Sequence, residues 1–262
     1  MDFYILDDDI AVVKPLKHII SDREIGTVAG YNTDVECAIA DIREERPEII
    51  MVDFMMKEIF EQPRTIRDTL AGRMVNGHLK FDELTLNFEE LAAIDRVYII
   101  ACGTSYHAGL VAKNLIEGWS RIPCEVEVAS EFRYRNPIVT PSTLVVAVSQ
   151  SGETADTLTA ARRMRAMGCK VFAITNVLGS TAARESDGTL YVQAGPEICV
   201  CSTKAYTAQI VASALLALRL SLAKGQMDQA EVERHFHDLE QLPDLIREVL
   251  KRDWQDQRAA SL

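Results

Sequence analysis

The stretch Leu144–Thr157, LVVAVSQSGETADT, leaves few folds open to this chain. Leu144 to Val148 is an unbroken apolar run, the pattern of a strand covered on both faces in a parallel sheet. Ser149, Gln150 and Ser151 then supply side-chain donors, Gly152 permits a sharp turn, and a helix follows. A helix that opens past a strand end directs its unpaired N–H groups, and the positive end of its dipole, into the turn. Such a turn suits an anion, and a phosphate above all.

The same order recurs upstream. Val97 to Ala101 reads as a second apolar strand, followed by the small, hydroxyl-bearing turn Cys102-Gly103-Thr104-Ser105 and a helix from about Tyr106 to Trp119. Further strands are expected at Glu125–Ala129, Val171–Thr175 and Thr189–Val192. Helices are expected at Thr154–Met167, after Gly179-Ser180-Thr181, and over the long apolar segment Lys204–Leu222. This alternation predicts an α/β fold with a doubly wound, five-stranded parallel sheet of the flavodoxin-like kind. Turns at the carboxyl ends of neighbouring strands meet in one crevice of such a sheet, so the two hydroxyl-rich turns are expected to converge there.

The first 54 residues read differently. Strand Phe3–Leu6 ends in Asp7-Asp8-Asp9. A helix over about Ala11–Ile20, strand Thr27–Gly30, a helix over Val35–Glu45 and strand Glu48–Val52, ending in Asp53, complete a small βαβαβ segment. It resembles the first half of a response-regulator receiver domain. The resemblance implies an acidic Mg²⁺ site at Asp8 and Asp9 and a possible phospho-acceptor at Asp53. The pattern departs after Asp53, because Met56 is followed by Lys57 where that family carries Met-Pro, and its last two strands have no counterpart. The acidic strand end otherwise reads as a solvated one.

Expected boundaries are 1–54 for the receiver-like half domain, 55–85 for a helical linker, 86–224 for the α/β domain and 225–262 for a helical C-terminal connector. Within the linker, Pro63 is expected near a helix start and residues 75–84 as loop. After Gly225 the chain is amphipathic and charged, expected to break at Pro243. Leu239, Leu242, Leu245, Ile246, Val249 and Leu250 share one face, which fits docking on the domain's own surface or a connection to another domain.

Composition excludes some classes. A net charge of -11 argues against a nucleic-acid partner, which would need clustered Lys and Arg. No apolar run reaches a membrane span and the N-terminus is acidic, unlike a signal peptide. The six cysteines include no CxxC pair and suit reduced thiols in a cytoplasmic protein. Cys199 and Cys201 would face opposite sides of an extended strand, which fits neither a disulfide nor a shared metal. The five His residues lack ligand spacing, and His235 and His237 are expected in solvent. No metal site and no cofactor are expected.

Five ordered motifs, CGTSYHAGLVAK, RIPCEVEVASEFRYR, VSQSGETADTL, ITNVLGSTAAR and GPEICVCSTKAYTAQ, together resemble the first sugar-isomerase (SIS) domain of the glutamine–fructose-6-phosphate aminotransferase family. MMKEIFEQPRTIRDTLAGR is similar to the linker entering the isomerase half of that family, and LPDLIREVLK to the helix leaving its first SIS domain. The resemblance implies a phosphosugar pocket lined by Thr104, Ser105, Ser149, Gln150, Ser151 and Thr154, with Val200 and Ser202 touching the sugar. It implies fructose 6-phosphate or glucosamine 6-phosphate as ligand, a place in amino-sugar metabolism, and a homodimer through SIS domains.

The family's glutaminase domain, with its amino-terminal cysteine, and its second SIS domain, with the isomerisation acid and base, find no match in this sequence. Glu153 and Glu197 are weak candidates for a general base, and Lys204 either pairs with a ligand or caps its loop. The chain is therefore expected to be the phosphosugar-binding module of such an aminotransferase, truncated or fused, without the full catalytic set. The alternative is a regulator that senses a sugar phosphate and carries a receiver-like segment.

Overall fold

The computed structural model describes residues 2–6, 14, 17, 18, 20, 21, 27–32, 34–46, 49–52, 55–198 and 202–260. Asp8, Asp9, Asp53, Cys199, Val200 and Cys201 lie outside the described residues, as does much of the helix expected over 11–20. The chain divides into two units, Met1–Ile59 and Phe60–Leu262.

In the first unit, strands β1 (Asp2–Leu6), β2 (Thr27–Asn32) and β3 (Ile49–Val52) pair in parallel in the order β2-β1-β3. Phe3, Ile5 and Ile20 bury together against Val28. Helix α1 (Val35–Glu45) starts at Asp34, whose carboxylate accepts from the Cys37 N–H at 2.9 Å, and stops at Arg46, which is left-handed. Tyr4 donates its hydroxyl to Asp41 at 2.6 Å, and Asn32 donates to the same oxygen at 3.1 Å. These bonds, Tyr4 first, hold the Asp41 carboxyl below its ordinary range.

Helix α2 (Met55–Leu70) runs without a break through Pro63, where a helix start was expected. Proline removes one N–H from a helix interior. The helix survives because its later turns are anchored, with Ile66 and Leu70 in the core and the Thr69 hydroxyl on the Thr65 and Val192 carbonyls. Residues 75–84 are not plain loop either. Strands β4 (Met74–Val75) and β5 (His78–Leu79) form a hairpin, and β6 (Glu83–Leu84) joins the main sheet at its edge. These two-residue pieces are too short to show periodicity in a sequence.

The main sheet holds β7 (Arg96–Ala101), β8 (Cys124–Val128), β9 (Thr143–Ser149), β10 (Lys170–Thr175) and β11 (Gly188–Tyr191). Its order is β6-β11-β10-β9-β7-β8, five parallel strands plus the antiparallel β6. The expected parallel five are thus present within a six-stranded sheet.

Alternate residues face opposite layers, as strand pleating requires. Val97, Ile99, Leu144, Val146 and Val148 join the larger core with Ala112 and Ile116 of α4 (Gly103–Ser120) and most of α8 (Lys204–Ala223). Tyr98, Ile100, Val145 and Ala147 join a second core with Phe132 of the short α5 (Ala129–Phe132) and Ala160, Ala161 and Met164 of α6 (Ala155–Ala166). Helix α8 is long and apolar enough to cross a membrane, but its apolar run is core, buried from Val211 to Leu218.

The short helices α3 (Phe88–Ala93) and α7 (Thr181–Arg184) close strand connections, α3 through an Asn87–Glu90 capping box. Helix α9 (Gln229–Ala260) continues through Pro243, against the expected break. Val232 and Phe236 are buried, and Leu239, Leu242 and Ile246 pack on the larger core, which favours docking on the domain's own surface. Leu245 and Val249 stay exposed. His235 is not simply solvated: it stacks on Trp119 at 5.1 Å, whereas His237 is exposed beside Glu240.

One buried cation ties the edge of the sheet together. Arg73, 3% exposed, donates to Asp82 at 2.6 Å, to the Tyr191 carbonyl at 2.8 Å and to the Thr69 carbonyl at 3.1 Å. Asp82 also accepts from the Tyr191 N–H at 2.9 Å. Arg73→Ala should lower unfolding stability by about 3 kcal/mol, the lower end for breaking a buried ion pair, since Asp82 keeps some contact with water. Urea denaturation followed by circular dichroism measures it, and a loss under about 1 kcal/mol would contradict this role.

Candidate functional site

The strand order β8-β7-β9-β10-β11 reverses direction between β7 and β9, and the crevice outside their carboxyl ends is where doubly wound sheets take ligands. A cleft of about 530 Å³ lies there. Its walls include Cys102, Gly103, Thr104 and Ser105 beyond β7, and Ser149, Gln150, Ser151 and Thr154 beyond β9. Glu197, Ile198 and Ser202, from the loop before α8, complete it. The expected site residues Thr104, Ser105, Ser149, Gln150, Ser151, Thr154 and Ser202 are therefore brought into one cleft, while Val200 lies outside the described residues.

Local chemistry explains the shape of this cleft. Gly152 is left-handed (φ +66°), and a Cβ on it would stand 2.2 Å from Ser180 Oγ and 2.7 Å from Thr175 Oγ1. Only glycine allows the turn to close this tightly. Ser149, nearly buried, accepts the Gly152 N–H at 3.0 Å and shares a 2.9 Å hydrogen bond with the Thr154 hydroxyl. One hydrogen of that hydroxyl pair remains to be directed elsewhere. Ser151 Oγ accepts from the Glu153 N–H at 3.2 Å, which leaves its own hydrogen to donate. Helices α4 and α6 both begin at the cleft, and neither N-cap residue, Cys102 or Thr154, makes a side-chain capping bond. Their first N–H groups keep the partial positive charge that an anion would meet.

The charged neighbours are otherwise engaged. Glu153 accepts from the Thr181 N–H at 2.7 Å, and that bond holds its carboxyl below the ordinary range. Glu197 accepts from Ser202 Oγ at 3.0 Å and from the backbone N–H groups of Thr203 at 2.7 Å and Ala205 at 3.2 Å. Both carboxylates, the weak base candidates of the sequence, thus accept hydrogen bonds from the chain itself. Lys204 is 5% exposed and donates to Glu61 at 2.6 Å, so its charge is turned to α2.

Of the cleft residues, Cys102, Gly103, Val148 and Ile198 were not named as ligand contacts from sequence, though the Cys102–Ser105 turn was expected at this crevice. Cys102 and Gly103 could have been added from their place in the first turn. Nothing local marks Glu197 as the acceptor for a helix start six residues later. Among the described residues no group of three or more His, Cys, Asp and Glu could hold a metal ion. Cys124 and Cys169 are buried, and burial pushes the Cys124 thiol up to about 12.

A doubly wound domain with a hydroxyl-lined cleft at its switch point is the class this geometry defines. Comparison gives the family: residues 90–219 match the SIS domain, and this part of the chain is a SIS domain. The chain is 55% identical over 197 residues to glutamine–fructose-6-phosphate aminotransferase (isomerizing) of Mycobacterium tuberculosis, covering 75% of this chain and 32% of that protein. The enzyme of the same name from Caldanaerobacter subterraneus subsp. tengcongensis is 46% identical over 264 residues, 98% of this chain and 42% of that one. The C-terminal domain of glucosamine-fructose-6-phosphate aminotransferase from Francisella tularensis superposes with a TM-score of 0.74 at 37% identity, covering 79% of this chain and 58% of that chain. The chain thus spans about a third of one of these curated relatives and about two fifths of the other.

Gly152→Ala is expected to cost about 1–3 kcal/mol, because a left-handed position and an occupied space both oppose the methyl group. A thermal melt should show the loss. A variant as stable as the parent would mean that Ser180 and Thr175 give way freely.

Proposed function

We propose that the cleft binds a sugar 6-phosphate, fructose 6-phosphate or glucosamine 6-phosphate, as the first SIS domain of a glucosamine-6-phosphate synthase-type aminotransferase. The observation that carries this reading is the convergence of two uncapped helix N-termini and the Ser149–Thr154 hydroxyls on the switch point. Neutral donors and helix dipoles can hold a phosphate dianion without a lysine or arginine. The names of the relatives supply the sugar.

Binding rather than turnover is the role proposed for this unit alone, because Glu153 and Glu197 are both tied to backbone N–H groups. Production of glucosamine 6-phosphate from fructose 6-phosphate and glutamine by the purified chain would overturn that part. Replacing Ser149 and Ser151 together by alanine should weaken fructose 6-phosphate binding by a few kcal/mol, about 1–3 for each hydrogen bond to a charged group. Isothermal calorimetry reads this directly, and an unchanged affinity with native circular dichroism would reject the site.

The first unit is proposed as a receiver-like half domain. Its parallel order β2-β1-β3 supports this, being the start of the 2-1-3-4-5 order of doubly wound sheets. A regulatory role for the whole chain rests on that unit alone and is tested by acetyl phosphate labelling lost in Asp53→Asn.

Self-association through the SIS domain is also proposed, in a cytoplasmic setting. The apolar run of α8 lends it no support, since that helix is core. Exposed apolar side chains near the cleft do support it: Ile198 lines the cleft at 61% exposure, and Leu178, at 75%, borders an adjoining cavity that shares Gln150 and Glu197. Light scattering at tens of micromolar should return a dimer mass, and a monomer mass there would refute it.

A further inference from the structure

Glu197 lines the cleft, yet its carboxylate is turned on the chain itself. One oxygen accepts from the N–H groups of Thr203 and Ala205, at 2.7 and 3.2 Å, which stabilises the start of α8. The other accepts from Ser202 Oγ at 3.0 Å. Ser202 is itself left-handed, φ 42°, a conformation uncommon outside glycine that surrounding bonds must maintain.

A serine hydroxyl has one hydrogen and two lone pairs. With its hydrogen directed at Glu197, Ser202 can offer the cleft only lone pairs. The walls formed by the strand-end turns differ in kind, for there Ser151 and the helix N-termini offer hydrogens. The cleft therefore carries both kinds of group, donors on the strand-end turns and an acceptor on the loop before α8. A bare anion has no hydrogen for that acceptor, whereas a polyol has several.

We propose that Glu197 is a positioning residue that fixes Ser202 as a hydrogen-bond acceptor for a hydroxyl group of the ligand. The inference rests on the sugar-phosphate reading of the same cleft. It makes Glu197 act through Ser202, not on a reacting atom.

A double-mutant cycle on the full chain tests it, with fructose 6-phosphate titrated calorimetrically into the parent, Glu197→Gln, Ser202→Ala and the double variant. Each single change should weaken binding about five- to tenfold, the worth of one hydrogen bond. The double variant should bind no worse than the weaker single one, because both changes remove the same acceptor. Losses that multiply would show Glu197 acting on the helix start alone and would overturn the proposal, as would an affinity unchanged in Ser202→Ala. Should Glu197→Gln fail to fold by circular dichroism, Glu197→Asp, whose shorter reach also loses Ser202, takes its place in the cycle. A parent chain that binds no fructose 6-phosphate overturns the ligand reading itself, an outcome separate from any pattern among the variants.

Discussion

The parallel pairing of β7 with β9 is the constraint on which the cleft depends. Their register, from Arg96 opposite Thr143 to Ile100 opposite Ala147, brings the two strands to their carboxyl ends at nearly the same level. A parallel connection must return through a crossover, and here the helices that follow the two strands pack on opposite layers. Helix α4 contributes Ala112 and Ile116 to one core, and α6 contributes Ala160, Ala161 and Met164 to the other. Two helix N-termini are thereby left flanking a single crevice. Gly109 belongs to the same arrangement, since a Cβ there would crowd the Ile99 and Val126 methyls at 3.0 Å where α4 lies close on the sheet.

This part of the architecture was legible because its signals are local and long. Leu144–Val148 and Val97–Ala101 are buried on both faces, so each writes an unbroken apolar run. The turn chemistry at Cys102–Ser105 and Ser149–Thr154 stands directly behind those runs. The misses share a different cause. Pro63 and Pro243 read as boundaries because proline disfavours a helix interior, and both helices are instead held by tertiary contacts far along the chain, such as Thr69 with Val192 and Phe236 with the core. Strand β6 exists only because Leu84 and Glu83 find Gly188 and Thr189, a pairing of distant residues that no window of sequence contains.

The candidate site divides along the same line. Hydroxyl residues within a strand–turn–helix segment could be gathered from sequence, whereas the state of each charged side chain could not. Lys204 looks available to an anion until Glu61, well over a hundred residues earlier, is found beside it. Glu197 looks available as a base until Thr203 and Ala205 are seen donating to it. In both cases the partner is a matter of packing, which no window of hydropathy contains.

An acidic chain can still present a site for an anion, because distance and screening decide which charges matter. The net charge of -11 is the balance of 39 acidic against 28 basic residues, and most of their field is screened within about 8 Å in physiological salt. The starts of α4 and α6 lie at the cleft, where the partial charge of a helix end acts at short range. Glu153, the carboxylate of the turn itself, is drawn toward the Thr181 N–H, so its charge is already partly balanced by another helix start. Neutral donors carry a further consequence for specificity. A lysine would attract anions of any shape, whereas fixed hydroxyls and amides reward only a ligand whose oxygens fall where those hydrogens point.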